Sequence, residues 1–207
     1  MPRVSRLLIA ALAVLLTGCA IPQPRTATKT SEPTLAAGER LSDQDLQARW
    51  WTWALASPEE RNPVADETGK FCAEDQPKDV WFLAGTFGGA VDRTCRVPAG
   101  RPLAAPAVNR YSANTAHCRD FMTGVKGTVT LDGQPVELRR IDPVEITFQV
   151  ARDNAIGERG GKQAAQACGL WAWIPPLTPG EHDLLIEGEA GSFSTSAHYK
   201  LTITGGD

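Results

Sequence analysis

The chain predicts a mainly β fold, an antiparallel β-sandwich flanked by one N-terminal amphipathic helix, with an α+β arrangement as the alternative. Three patterns lead there. Through the second half of the chain apolar and polar residues alternate over short runs, which is the period of a half-buried strand. Gly and Pro, 19 and 15 of 207 residues, punctuate those runs and supply the turns that many short strands need. Helical spacing is clearest in residues 42–56, so one helix is expected beside or at the end of the sheets.

That helix begins at Leu41-Ser42-Asp43-Gln44-Asp45-Leu46. Ser42 can accept from first-turn amides, Asp45 suits the positive end of the helix, and Leu41 and Leu46 fall at the staple positions around the cap. Ser57-Pro58 stops it after Ala56. Leu46, Trp50, Trp53 and Ala54 share one side, and Trp51 lies about 100° from Trp50. Indoles this large are expected in the core.

Strands follow. Val80 to Ala84 is a continuous apolar run, as in a buried strand. Residues 125–131 alternate, and Asp132-Gly133 turns them back into residues 134–138 as a tight hairpin. Ile146, Phe148 and Val150 share one face of another strand; Tyr199, Leu201 and Ile203 point inward while His198, Lys200 and Thr202 point outward. Leu170–Ile174 and Leu184–Ile186 flank a connector rich in proline, Pro175 to Gly180. Residues 151–167, ARDNAIGERGGKQAAQA, show no clear strand period and read as a long loop, the preferred place for a binding edge.

The N-terminus carries a separate message. Arg3 and Arg6 precede an apolar run from Leu7 to Leu16. A membrane span needs about 20 apolar residues, so the run reads as an export signal. Leu16-Thr17-Gly18-Cys19 resembles the bacterial lipobox, which implies cleavage before Cys19 and lipidation of its thiol. Several acyl chains, at about 0.8 kcal/mol per buried methylene, would hold the protein at a membrane without a spanning segment. The expected organisation is therefore a signal peptide over 1–18, a lipidated Cys19 with a Pro- and Thr-rich tether over 19–40, and one β-rich domain over 41–207. The expected location is the cell envelope, facing outside the cytoplasm.

Losing residues 1–18 removes two arginines and no acid, taking the formal charge from −3 to −5. Such a chain offers no basic patch for nucleic acid. The other four cysteines, Cys72, Cys95, Cys118 and Cys168, lie in an exported chain, where thiols become disulfides. Of three connectivities, the pairing Cys72 with Cys95 and Cys118 with Cys168 joins neighbours in order. No C-x-x-C occurs, which argues against zinc or redox chemistry.

Phe71 to Cys95, FCAEDQPKDVWFLAGTFGGAVDRTC, contains a glycine-rich stretch, but Gly85-Thr86-Phe87-Gly88-Gly89 lacks the lysine and following helix of a phosphate loop. Its glycines read as turn residues. Trp50 and Trp53, Asn62-Pro63 with Asp66 and Gly69, Cys72, Val80 to Gly85, Gly88-Gly89, Arg93-Thr94-Cys95, Val97 to Gly100 and Leu177 to His182 together resemble a group of uncharacterised exported bacterial proteins. The resemblance implies one exported domain and no particular chemistry.

His117, His182 and His198 form no catalytic or metal motif, and no cofactor fingerprint occurs. Asp66, Glu67 and Asp120 are the carboxylates to consider for hydrolysis, with His117 as a participant. Trp171 and Trp173 alternate along one strand face; an open face would stack a sugar or a partner's apolar side chain, and a closed one is core, the favoured reading. The leading expectation is a lipid-anchored, non-enzymatic binding or structural module. Its partner would be cell-wall glycan or an envelope protein, and it would use neither metal nor cofactor. The alternatives are a carboxylate hydrolase, or an inhibitor or accessory subunit docking through the long loop.

Overall fold

The computed structural model describes residues 39–205. The expected cleavage site and Cys19 lie outside them. Helix α1 (Asp43–Ala56) is followed by strands β1 (Trp81–Phe82), β2 (Gly89–Pro98) and β3 (Leu103–Ser112), then helix α2 (Thr115–Thr123). Strands β4 (Lys126–Leu131), β5 (Gln134–Pro135), β6 (Leu138–Val150), β7 (Gly161–Ile174), β8 (Gly180–Ala190) and β9 (Phe193–Thr204) complete it. Two sheets form, ordered β1-β3-β7-β6 and β2-β9-β8-β4-β5. The sandwich is there, but each sheet has one parallel edge pair, β1 with β3 and β2 with β9.

Helix α1 starts and stops as its sequence dictates. Ser42 Oγ accepts from the Asp45 amide at 3.1 Å, Leu41 and Leu46 are both buried, and the helix ends before Pro58. Its outer turns do more than pack. Gln149 N donates to Thr52 Oγ1, Gln44 Nε2 to Glu145 O and Ala151 N to Leu55 O, so the helix occupies polar groups of the β6 edge that another chain would otherwise pair with.

Helix α1 makes the four-stranded sheet the middle of three layers. Trp50, Trp51, Trp53, Phe148 and Trp171 form the core between helix and sheet, while Ala105, Ala172, Ile174, Leu184, Ile186 and Tyr199 form the core between the sheets. A strand buried on both faces has no reason to alternate, which is why β3 is apolar and buried from Leu103 to Val108.

This arrangement closes the face that bears Trp171 and Trp173. Trp171 is 1% exposed, its ring 5.7 Å from and nearly perpendicular to that of Trp50, and Trp173 packs half-buried on the same cluster. Trp171 is core, as favoured, and Trp173 is partly buried against the same cluster.

Two further expectations change. Residues 151–167 are not one loop: β7 begins at Gly161, and the remaining segment is braced by buried Asn154. Its Nδ2 donates to Ala151 O and Glu158 O, and its Oδ1 accepts from the amides of Ile156 and Glu158. The Asp132-Gly133 hairpin forms, both residues at positive φ, but its second strand stops at Pro135 and Leu138 already belongs to the other sheet. Both disulfides, Cys72–Cys95 and Cys118–Cys168, are formed in the expected pairing. Among the described residues no helix is long and apolar enough to cross a membrane.

Candidate binding site at one end of the sandwich

Gly127 and Gly188 are cross-strand partners on β4 and β8. A Cβ on Gly188 would lie 2.2 Å from Ala107 O, and one on Gly127 would lie 2.7 Å from Ala107 Cβ. Only glycine lets the sheets meet this closely, against the bulge of β3 between Pro106 and Val108. On the reverse side the same strands floor a groove of about 750 Å³.

The groove crosses four strands. Thr128, Glu187, Ser196 and Ala90 stand in one row across it, because Thr128 pairs with Glu187, Glu187 with Ser196 and Ser196 with Ala90. Thr128 Oγ1 donates to Glu187 Oε2 at 3.2 Å, and Lys126 Nζ meets Glu189 Oε1 at 2.7 Å. That hydrogen bond and the charge behind it raise the Lys126 pKa above its ordinary value.

Thr195 lines both this groove and a second pocket of about 160 Å³ between the layers. Trp50, Trp51, Val64, Asn109, Phe87 and Phe193 are among its walls. The loop that carries Phe87 is held firmly. Thr86 N donates to Thr195 Oγ1 at 2.7 Å, Thr86 Oγ1 accepts from Gly88 N at 3.0 Å, and Gly88 and Gly89 both take positive φ. The glycine-rich stretch is thus a turn that presents Phe87, 42% exposed, at the pocket. An isolated aromatic among glycines was the sequence signal for it, as glycines inside alternating strands were for the groove.

The histidines are dispersed. His198 bridges Asp92 Oδ1 at 3.0 Å and Asp183 Oδ2 at 2.8 Å, tying together β2, β9 and β8. His182 Nδ1 lies 2.7 Å from Asp132 Oδ2 and its Nε2 lies 3.0 Å from Thr178 O. Hydrogen bonds to Asp183 and Asp92 raise the His198 pKa, and those to Asp132 and Thr178 raise that of His182. His117 is exposed on α2, with its Nδ1 3.0 Å from Ser112 Oγ.

Asp66 is a turn cap. Its oxygens accept from the Phe71 amide, the Thr68 amide and the Thr68 hydroxyl. Burial pushes its pKa up, but these bonds and the Arg93 charge outweigh that and hold it below the usual range. Glu67 and Asp120 are exposed. Among the described residues, no group of three or more His, Cys, Asp or Glu is placed to hold a metal ion.

No family model and no curated protein matches the chain. A solved structure described as PbICP-C in complex with falcipain-2 is similar at 10% identity, over 59% of this chain and 98% of that one, with a TM-score of 0.29. A likeness this loose carries no argument about function.

Proposed function

We propose that the protein is a lipid-anchored module of the bacterial envelope that binds a polypeptide partner at the Phe87 end of its sandwich and performs no chemistry there. The observation that carries the reading is the contiguity of the groove with the apolar pocket, joined at Thr195 and fronted by the exposed Phe87 ring. An aromatic anchor beside a pocket and a polar rim is the usual make-up of a protein-binding surface. The export signal and lipobox-like residues 16–19 support the anchor, and two disulfides suit an exported chain.

The glycan reading has less to support it, since Trp171, one of the two indoles of its stacking face, is buried. The hydrolase reading has less to support it, since the Asp66 oxygens serve a turn and His117 sits on α2 beside Ser112. A docking role for the 151–160 segment retains one feature, Ile156, 38% exposed.

A photo-crosslinking amino acid placed at position 87 in the intact cell tests the proposal, with position 134 in the β4–β5 turn as control. A polypeptide captured from position 87 and not from 134 is expected. Equal capture from both, or capture of glycan alone, would refute it.

A further inference from the structure

The sheet edge that begins just after Phe87 is left open. Strand β2 is the outer strand of the five-stranded sheet and pairs on one side with β9, with no register shift from Gly89 to Pro98. Two bonds show which of its backbone groups face away from β9. Ala99 N donates to Thr204 O, toward β9, whereas Thr94 N donates to Thr68 O, away from it. Backbone groups of successive strand residues point to opposite sides, so Ala90, Asp92, Thr94 and Arg96 present their N–H and C=O groups outward, and Pro98 has no N–H to present.

These outward groups are treated differently along the strand. At Thr94 the 66–69 loop covers them: a Cβ on Gly69 would lie 2.1 Å from Thr94 O and 2.9 Å from Thr94 N. Upstream of that cap Gly89, Ala90 and Asp92 are exposed. Among the described residues nothing accepts from the N–H of Ala90 or Asp92, and nothing donates to their carbonyls. At β6 the fold does the opposite, since α1 occupies polar groups of that edge. An edge left unblocked is a template for another chain. A donor and an acceptor side by side on every second residue are matched by a polypeptide in extended form, which offers its own C=O and N–H at the same repeat.

We infer that the partner contributes an extended segment that pairs with the β2 edge at Ala90 and Asp92 and so adds a strand to the five-stranded sheet beside Phe87. This rests on the polypeptide-partner reading and specifies how the partner binds, through hydrogen bonds of its main chain. The added strand lies next to Ala90, so alternate side chains of the segment extend the row of Thr128, Glu187, Ser196 and Ala90 that crosses the groove.

The test uses the full chain in lipid nanodiscs, labelled with nitrogen-15, and two probes: acetyl-Thr-Val-Thr-Val-Thr-amide and the same peptide with every amide N-methylated. The parent peptide should shift the Ala90 and Asp92 amide lines saturably in about the millimolar range, and the methylated one should bind at least about tenfold more weakly. Proline suits an edge strand where its missing N–H faces outward, so Asp92→Pro removes a docking donor and spares the β2–β9 ladder. Asp92→Ala loses the same carboxylate and keeps the N–H. Read at Ala90, the peptide should bind Asp92→Pro about tenfold more weakly than Asp92→Ala, while the amide lines of β8 coincide in the two variants and report an intact fold. Unmoved Ala90 and Asp92 lines, a methylated peptide that binds as well as the parent, or equal affinity of the two variants overturns the inference. Unmoved lines together with capture of a polypeptide from position 87 overturn the inference and leave the partner reading standing. Responsive lines with no polypeptide captured from position 87 overturn both. A captured polypeptide that proves to be a second copy of this chain replaces the partner with self-pairing and overturns the inference.

Discussion

Arg93 Nη1 donates to Tyr199 Oη at 2.7 Å, and Tyr199 Oη donates in turn to Ala84 O at 2.9 Å. Arg93 is 2% exposed; the same Nη1 also reaches Ala84 O and Gly85 O, while Nε donates to Asp66 O and Nη2 to Val64 O, all within 2.9 Å. A buried guanidinium is thus solvated by a cage of carbonyls that ties the Asn62–Asp66 loop and the 84–85 corner to β2 and β9. Lysine has three donors on a point charge and cannot copy that fork. Arg93→Met should cost about 3 kcal/mol or more, since it strands several carbonyls, and Tyr199→Phe about 1.5–3 kcal/mol. Urea unfolding of the oxidised protein checks both; an Arg93→Met loss below about 0.5 kcal/mol would contradict the cage.

The two histidine clamps set a pH dependence. Their pKa values are raised in the folded state, so the stability they contribute is complete below the unfolded value of about 6.5 and is lost as pH rises through the folded value. Asp132 works the other way: the Asp183 amide and His182 lower its pKa, so its contribution is present above about 3.9 and fades as pH falls further. His198 is partly exposed, so screening keeps the effect modest. The denaturation midpoint of wild type should therefore fall between about pH 6 and 8, and His198→Gln should flatten that slope. An unchanged slope in the variant would count against the clamp.

The disulfides close loops of different length, with sequence separations of 23 and 50. Loop entropy then predicts losses of about 3 kcal/mol for Cys72→Ser with Cys95→Ser, and about 4 kcal/mol for Cys118→Ser with Cys168→Ser. Calorimetry of the two double variants should rank them in that order.

Close contact of the sheets makes Gly188 intolerant of a side chain. Gly188→Ala should destabilise by about 1–3 kcal/mol through overpacking against Ala107 O, whereas Gly124→Ala, with open space around its Cβ, should stay within about 0.5 kcal/mol. Thermal unfolding of both distinguishes a true pinch point from a general dislike of losing glycine.

What the sequence revealed was local. The Ser42 cap, the Asp132-Gly133 turn and the alternation of Tyr199, Leu201 and Ile203 depend on neighbours a few residues away, and each appears as expected. Strand β3 was hidden because both of its faces are buried, and the first half of β7 because Ala164, Ala165 and Ala167 carry little pattern. Helix α2 spans nine residues, too few for a period to stand out. Whether the Trp171 face was open depended on where α1 settles. The pocket unites residues as distant as Trp51 and Phe193, a juxtaposition no spacing encodes. The motif pieces around Asn62, Gly85 and Arg93 were visible as a set, yet their meeting at one guanidinium was not.

Oxidative footprinting of the protein in its native envelope, against the purified chain in nanodiscs, tests the central claim most directly. Phe87 and Ile156 are the large apolar side chains exposed among the described residues, so each serves as the other's reference. Binding at the Phe87 end predicts that Phe87 and Phe193 become several-fold less reactive in the envelope while Ile156 does not change. Equal reactivity of Phe87 in the two settings, or protection confined to Ile156, would contradict it.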